Sequence, residues 1–540
     1  MDRDKKKLYL SIIILLALGF LYLYLGSNFK LNIYDEAIGI YGAKRVAQGD
    51  LPYKDFWTLY APGYFYFLAF LLNIIGWTIS NERIISIIFM LIPPIFAFLI
   101  AKKYLKNNYA PWVFILIVIW TGYCSFYGKS IPIALGFGIL SIFLAYLYNE
   151  KKKILYLIFS GITTGLTAYF RLEFGAYVFV SVILSMLIFT FLTIDKNDNK
   201  GCIGLLLKNI PFYTIFTILA FLPMALYLML NVPMKDLYEQ LIYAPSKIYP
   251  KVRSLPLPVP FLIGVDMSGY TKIRFIELFV DSIVFYFPLI VYIIIGLKLG
   301  LNVIKKEFNS NPHGFFIRLL LLISGIIFYS QASVRSEKEH LFSTMAIALI
   351  LLVILFYESK KKFPKYIYIG LIIVSLLMPL ENRAKMIYKS YFAKDTYWYK
   401  SHELKCICDS KQTAVNFENA INYIKNTVPI NEKIFVGNYF HDRILLNDLM
   451  FYFLTDRDAC TKYHELHPGV ATTEKVQKEI VADFQKKDVK YIVLCENNEF
   501  VEPNKSSLSS GVFILDKHIH ANFELHKKFG TYQIWKRKIN

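Results

Sequence analysis

The sequence predicts a polytopic α-helical membrane protein with about eleven transmembrane helices and a soluble C-terminal α/β domain. Three observations predict it. The 540-residue chain is 56% hydrophobic and only 19% charged, below the roughly 25% charged content of soluble domains. Its apolar runs last about 18–22 residues, the length that crosses a ~30 Å hydrocarbon core as helix. Its cationic residues sit in short breaks between those runs rather than along a continuous face.

Inside lipid the backbone must satisfy its own hydrogen bonds, so each run is read as a helix. The predicted spans are 8–26, 84–101, 111–127, 131–149, 154–170, 174–194, 209–230, 275–297, 315–333, 341–357 and 365–380. The first follows the basic stretch Met1–Lys7 (MDRDKKK), is long for a signal peptide and lacks a small-residue cleavage site after it. It therefore reads as an uncleaved helix with a cytoplasmic N-terminus. Lys102, Lys103 and Lys106, Lys151, Lys152 and Lys153, Lys305 and Lys306, and Lys360, Lys361 and Lys362 then all fall on one side, as does the basic break 196–208. That is the positive-inside pattern. It explains the net charge of +20 without a nucleic-acid partner, since no basic stripe interleaves with stacking aromatics. The shorter apolar run 64–76 is expected to lie on the outer surface, because counting it as a span would reverse every later break.

Two domains follow: 1–380, transmembrane, with a first outer loop 27–83 carrying surface helices, and 381–540, an extracytoplasmic α/β domain. In the latter, 414–427 and 473–487 have amphipathic helical periodicity, and 433–436 and 490–494 read as buried strands. Residues 231–272 form another long outer segment, rich in Pro and Tyr. Cys406, Cys408, Cys460 and Cys495 would lie outside, where either free thiols or a disulfide are open readings. The chain is expected in the plasma membrane, in contact with membrane lipids.

The first outer loop is the most informative stretch. Asp35 and Glu36 follow the first span almost at once, and an acidic pair there is open to reading as solvated loop charge. Gly49-Asp50-Leu51-Pro52-Tyr53-Lys54-Asp55 and Tyr60-Ala61-Pro62-Gly63 come next. This succession resembles the first outer loop of the GT-C class of membrane glycosyltransferases. It is most similar to the branch of the protein O-mannosyltransferases (dolichyl-phosphate-mannose–protein mannosyltransferase-like) and the lipid A aminoarabinose transferase. The resemblance implies a GT-C fold and a polyprenyl-phosphate monosaccharide donor. It implies transfer of a hexosyl or pentosyl group to a hydroxyl of a protein, lipid or glycan acceptor at the outer face, with inversion. Asp35 matches the family's catalytic acidic position and is expected to act as general base, with Glu36 the other candidate. Asp55 and Tyr60 belong to the supporting motifs.

Such chemistry needs a carboxylate for the acceptor proton and cations for the departing phosphate. Arg335 and His340, with Glu337 beside them in SVRSEKEHLF, are the first candidates at the outer edge. Arg171, with Glu173 in AYFRLEFGAY, is another, although mutual ion pairing explains that pair equally well. Lys129 in FYGKSIP is a further candidate. Charges so close to hydrocarbon tend to pair or to serve a site. The loop 125–131 has no Asp or Glu, unlike that of metal-dependent members of the wider class, so no metal or other cofactor is expected. A transporter or lipid-linked saccharide flippase is the alternative. Transporters place charges near the midplane in broken helices, whereas here the charges cluster at outer span ends.

Overall fold

The computed structural model describes residues 3–105, 108–193, 199–266, 269–444, 447–496 and 501–539. Lys106 and the beginning of the basic break 196–208 lie outside the described residues. Helices occupy all eleven predicted spans. They are α1 (Arg3–Tyr24), α4 with α5 (Ile79–Met90 and Ile92–Tyr104), α6 (Ala110–Cys124), α7 (Ile131–Lys151), α8 (Ile154–Phe170), α9 (Leu172–Thr193) and α10 (Asn199–Asn231). After these come α13 (Lys272–Ile304), α14 (Pro312–Val334), α15 (Lys338–Glu358) and α16 (Lys362–Tyr391). Among the described residues nine are long and apolar enough to cross a membrane, with α4 and α5 counted as one. The remaining two, α6 and α8, have 15 and 17 residues, or about 22 and 26 Å at 1.5 Å per residue.

Local sequence explains the breaks. Pro93 and Pro94 stand in the first turn of α5, where they end α4 without costing a helical hydrogen bond. Gly161 and Gly165 of α8 let α10 approach to backbone contact: an added Cβ would lie 2.7 Å from the Tyr213 carbonyl and 2.5 Å from that of Thr217. This small-xxx-small spacing is a common way for helices to close on each other in lipid. α15 is the central post, with every residue from Leu341 to Leu355 buried.

Two helices precede the second span. α2 (Asp35–Ala47) is largely buried, and α3 (Gly63–Ile75) packs against it. At 13 residues α3 is too short to span. It buries Leu68 and Leu72 and exposes Phe70, Ile74 and Ile75. The first outer loop is shorter than expected, because α4 begins at Ile79 rather than 84. The segment 231–272 is mostly helical, with α11 (Met234–Tyr238), a π-helical stretch Glu239–Ile248 and α12 (Tyr249–Val252).

The last helix, α16, continues eleven residues beyond the expected end of the span at 380. The C-terminal part then holds a small antiparallel pair, β1 (Thr396–Trp398) with β2 (Cys408–Ser410). It also holds a four-stranded sheet of β3 (Phe435–Asn438), β4 (Tyr491–Cys495), β5 (Phe523–Phe529) and β6 (Tyr532–Arg537), in the order β3-β4-β6-β5. β3 and β4 are parallel and the other pairs antiparallel. Helices α17 (Lys411–Thr427), α18 (Met450–Thr455), α19 (Glu474–Lys486) and α20 (Ile514–Asn522) complete it. The expected helices and strands of this region are present, and the β5–β6 hairpin is an addition. Cys406, Cys408, Cys460 and Cys495 are free thiols, so the disulfide reading is set aside.

Candidate active site

The C-terminal domain sits on the first outer loop. The Cys408 amide donates to the Asn28 carbonyl (2.9 Å), Met450 to Ile33 (3.2 Å) and Trp57 to Lys462 (2.9 Å). The Tyr41 hydroxyl accepts from the Ala459 amide at 2.9 Å. These bonds fix α2, and with it the acidic pair at its start.

The two acidic residues have different fates. Glu36 is fully buried and its carboxylate takes a bidentate pair of bonds from Arg83 on α4, Nε to Oε1 and Nη2 to Oε2, each 2.7 Å. Arg83 also donates to the carbonyls of Ser27 and Lys30. Next to it, Glu82 accepts from the Gly128 amide at 2.7 Å. Neighbouring residues of α4 thus hold both α2 and the turn before α7. That turn needs glycine: Gly128 has φ +68°, and a Cβ there would lie 2.5 Å from the Glu36 backbone.

The close approach delivers Lys129 to Asp35, with Nζ 3.1 Å from Oδ2. The Asp35 side chain is 40% exposed, unlike its neighbour. Asn32 receives the Asp35 amide at 2.9 Å and donates to Oδ2 at 3.4 Å. Burial pushes the Asp35 carboxyl up, but Lys129, then Asn32 and Arg253, more than offset this and hold it below its ordinary value. It is therefore ionised at neutral pH. Lys129 also bonds Glu339 at the start of α15.

The other candidates surround this pair. His340, next to Glu339, lies within electrostatic reach of Asp35, Lys129, Arg171 and Arg335, and its Nδ1 is buried without a hydrogen-bond partner. Arg171 pairs with Glu173 (Nε to Oε1, 2.7 Å) and lies over the Phe174 ring. Tyr60 senses the charges of Asp35 and Arg171. Arg335 is nearly inaccessible and fully engaged: it makes a two-pronged bond to Glu502 of the C-terminal domain (3.1 and 2.8 Å), a bond to Glu337 and one to the Arg253 carbonyl. Arg335 and His340 do not bond each other; each faces Glu337, His340 at 3.9 Å. Asp55 stands apart, accepting from the Leu51 amide at 2.8 Å while its carbonyl accepts from Arg45, so the Gly-Asp-x-Pro-Tyr-x-Asp motif is a braced turn.

Sequence reasoning missed Arg83, which reads as loop before the second span, and Arg253 and Glu502. It also missed Glu465. This residue is 1% exposed, with Oε1 accepting from the Tyr34 hydroxyl (3.3 Å) and Oε2 unpartnered. Burial, opposed by the Tyr34 bond and reinforced by Asp35, pushes its carboxyl up to about 8. Each cation at the site therefore rests beside a carboxylate. The carboxylates are partly exposed in every case, but Lys129 and Arg171 retain some exposure themselves, whereas Arg335 is nearly inaccessible and held by four bonds.

No protein-family model matches the chain, and no curated protein sequence matches it. Solved structures do. The architecture, a helical membrane body capped by a C-terminal domain over nearly the full length, is that of the GT-C glycosyltransferase fold. The particular likeness is to ArnT from Cupriavidus metallidurans. In the crystal structure bound to undecaprenyl phosphate the TM-score is 0.56 at 10% identity, covering 98% of each chain. In the apo crystal structure it is 0.55 at 10% identity, covering 99% of this chain and 98% of that one.

Two outcomes follow from this geometry. Glu36→Gln or Arg83→Met leaves a buried charge without its partner, which costs about 3–5 kcal/mol. Thermal unfolding in detergent should show a large loss for either, and little for Asp35→Asn; wild-type melting of both pair variants would dismiss the anchoring role. Glu465 has a folded pKa raised above its unfolded value of about 4.3. Its contribution is fully present below that value and is lost as pH rises toward about 8. Glu465→Gln should therefore flatten the alkaline decline in melting temperature between pH 5 and pH 8, roughly the two pKa values. An unchanged pH profile in that variant would contradict the assignment.

Proposed function

We propose that the protein is a glycosyltransferase that moves a monosaccharide from a polyprenyl-phosphate donor to an acceptor hydroxyl. The observation that carries this reading is Asp35: a half-exposed, ionised carboxylate beside Lys129, at the start of a helix anchored by its own neighbour. In a direct displacement, Asp35 accepts the acceptor's proton as the oxygen attacks the sugar carbon, and the bond to the phosphate oxygen breaks. The configuration at that carbon inverts. Lys129 and Arg171 are the cations best placed to receive the phosphate, because they are themselves more accessible than Arg335 and make fewer bonds. Transfer of Lys129 from Asp35 to phosphate also raises the basicity of Asp35 when donor is bound. Arg335 and His340 then shape the site's edge rather than make first contact. Glu36 serves as an anchor. No metal is invoked, since the ammonium and guanidinium groups supply the charge stabilisation. The undecaprenyl phosphate held by the ArnT crystal structure supports a lipid-linked donor for this chain too. The distribution of charges at span ends favours this reading over a transporter.

Two experiments test it. In a transfer assay in membranes with polyprenyl-phosphate sugars, Asp35→Asn should lower the rate by about 10²–10⁴-fold while melting like wild type, and chelators should leave the wild-type rate intact. Wild-type turnover by Asp35→Asn sinks the base assignment. We further place the site and the C-terminal domain outside the cytoplasm and the N-terminus inside, on the basic breaks. A reporter active only in the cytoplasm should be silent when fused after Asn540; a strong signal there would reverse the orientation.

A further inference from the structure

A second polar cluster occupies the opposite ends of the helices that carry the site. α7 starts beside Lys129, and α15 carries Glu339 in its first turn. Each has 21 residues, so their far ends lie about 30 Å away at 1.5 Å per residue. There a cavity of about 460 Å³ opens among Lys103, Tyr104, Tyr146, Glu150, Asn311 and Tyr357, with His313 and Glu358 at its rim.

Its two carboxylates differ. Glu358 is fully supplied: Arg318 Nη1 donates to both oxygens (3.1 and 3.2 Å), the Tyr104 hydroxyl donates to Oε1, and Lys298 stands at 4.0 Å. Glu150 has one partner, Lys103, at 3.0 Å from Oε1. Its Oε2 is shielded from water and accepts no hydrogen bond. A desolvated carboxylate oxygen without a donor is costly, and here it belongs to a residue that lines a space large enough for a ligand. Three tyrosines line the same space, the kind of surface that holds an ammonium group by its ring faces. Lys103 and the Asn311 amide offer donors for an anionic group on the same ligand.

We propose that this cavity binds the headgroup of a phospholipid that carries a primary ammonium beside its phosphate, as phosphatidylethanolamine does. The ammonium donates to the Glu150 carboxylate, whose side chain turns to meet it, and rests against the tyrosines, and the phosphate meets Lys103. The cavity lies at the basic face, where anionic lipid is otherwise favoured; the unsupplied carboxylate is what selects a cation-bearing headgroup. A choline headgroup has no N–H to give, and a glycerol headgroup has no positive charge.

The test uses the whole protein in nanodiscs containing equal amounts of phosphatidylethanolamine, phosphatidylcholine and phosphatidylglycerol, with bound lipid read by native mass spectrometry. Wild type should retain phosphatidylethanolamine about tenfold over the other two, as expected for a charge-assisted hydrogen bond. Glu150→Gln should lose that preference and keep the rate of sugar transfer. Should Glu150→Gln fold poorly, stepwise N-methylation of the lipid on wild type gives the same reading, with retention falling at each methyl. Equal retention of the three lipids, preference for phosphatidylglycerol, or an undiminished preference in Glu150→Gln overturns the proposal. None of these outcomes depends on the role of Asp35.

Discussion

Everything around the candidate site depends on one buried ion pair. Arg83 and Glu36 meet where a span begins and the first loop's helix begins, and neither has water to fall back on. Their two parallel bonds fix direction as well as distance, since a guanidinium fork accepts a carboxylate in one plane. The further bonds of Arg83 to the carbonyls of Ser27 and Lys30 collect the strand of chain leaving α1. The pair thus sets where α2 begins, and the exposed residue one step before Glu36 inherits its position. One carboxylate is sacrificed to geometry so that its neighbour can stay half in solvent.

The site itself is an exercise in compensated charge. Lys129 is shared by Asp35 and Glu339, Arg171 is paired with Glu173, and Arg335 and Arg253 converge on Glu502. A resting site with loose cations at the edge of hydrocarbon would be expensive. Pairing each with a carboxylate keeps this state tolerable, and on the proposed function it makes anion binding an exchange of partners. Which cations can exchange then depends on their own access and bonding: Lys129 and Arg171 keep some exposure, whereas Arg335 is inaccessible and tied by four bonds.

Much of this was legible in the sequence, for specific physical reasons. Hydropathy over 18 or more residues is a strong signal because lipid admits few alternatives, so all eleven helices were placed. The short run 64–76, expected at the surface from its length and the basic breaks, is the 13-residue helix α3. Asp35 stood out through the motif succession of the first loop, whereas Lys129 was only a further candidate beside Arg335, His340 and Arg171. The partner of Glu36 was hidden because Arg83 looked like loop: α4 begins five residues before its apolar run does, and Glu82 and Arg83 ride on its first turn. Arg335 looked available for phosphate because its partner, Glu502, lies 167 residues away. Glu465 carried no local pattern at all; its role follows only from where the C-terminal domain lands.

That landing also orders the protein's biogenesis. Arg45 reaches His464 across 419 positions (3.1 Å), and Tyr34 reaches Glu465 across 431. The first loop leaves the ribosome early, yet the groups that brace it are made hundreds of residues later. Until those arrive, α2 has its anchor to α4 but an uncovered outer face. The membrane body can assemble span by span, while the surface around Asp35 and Lys129 waits for the C-terminal domain to cover it.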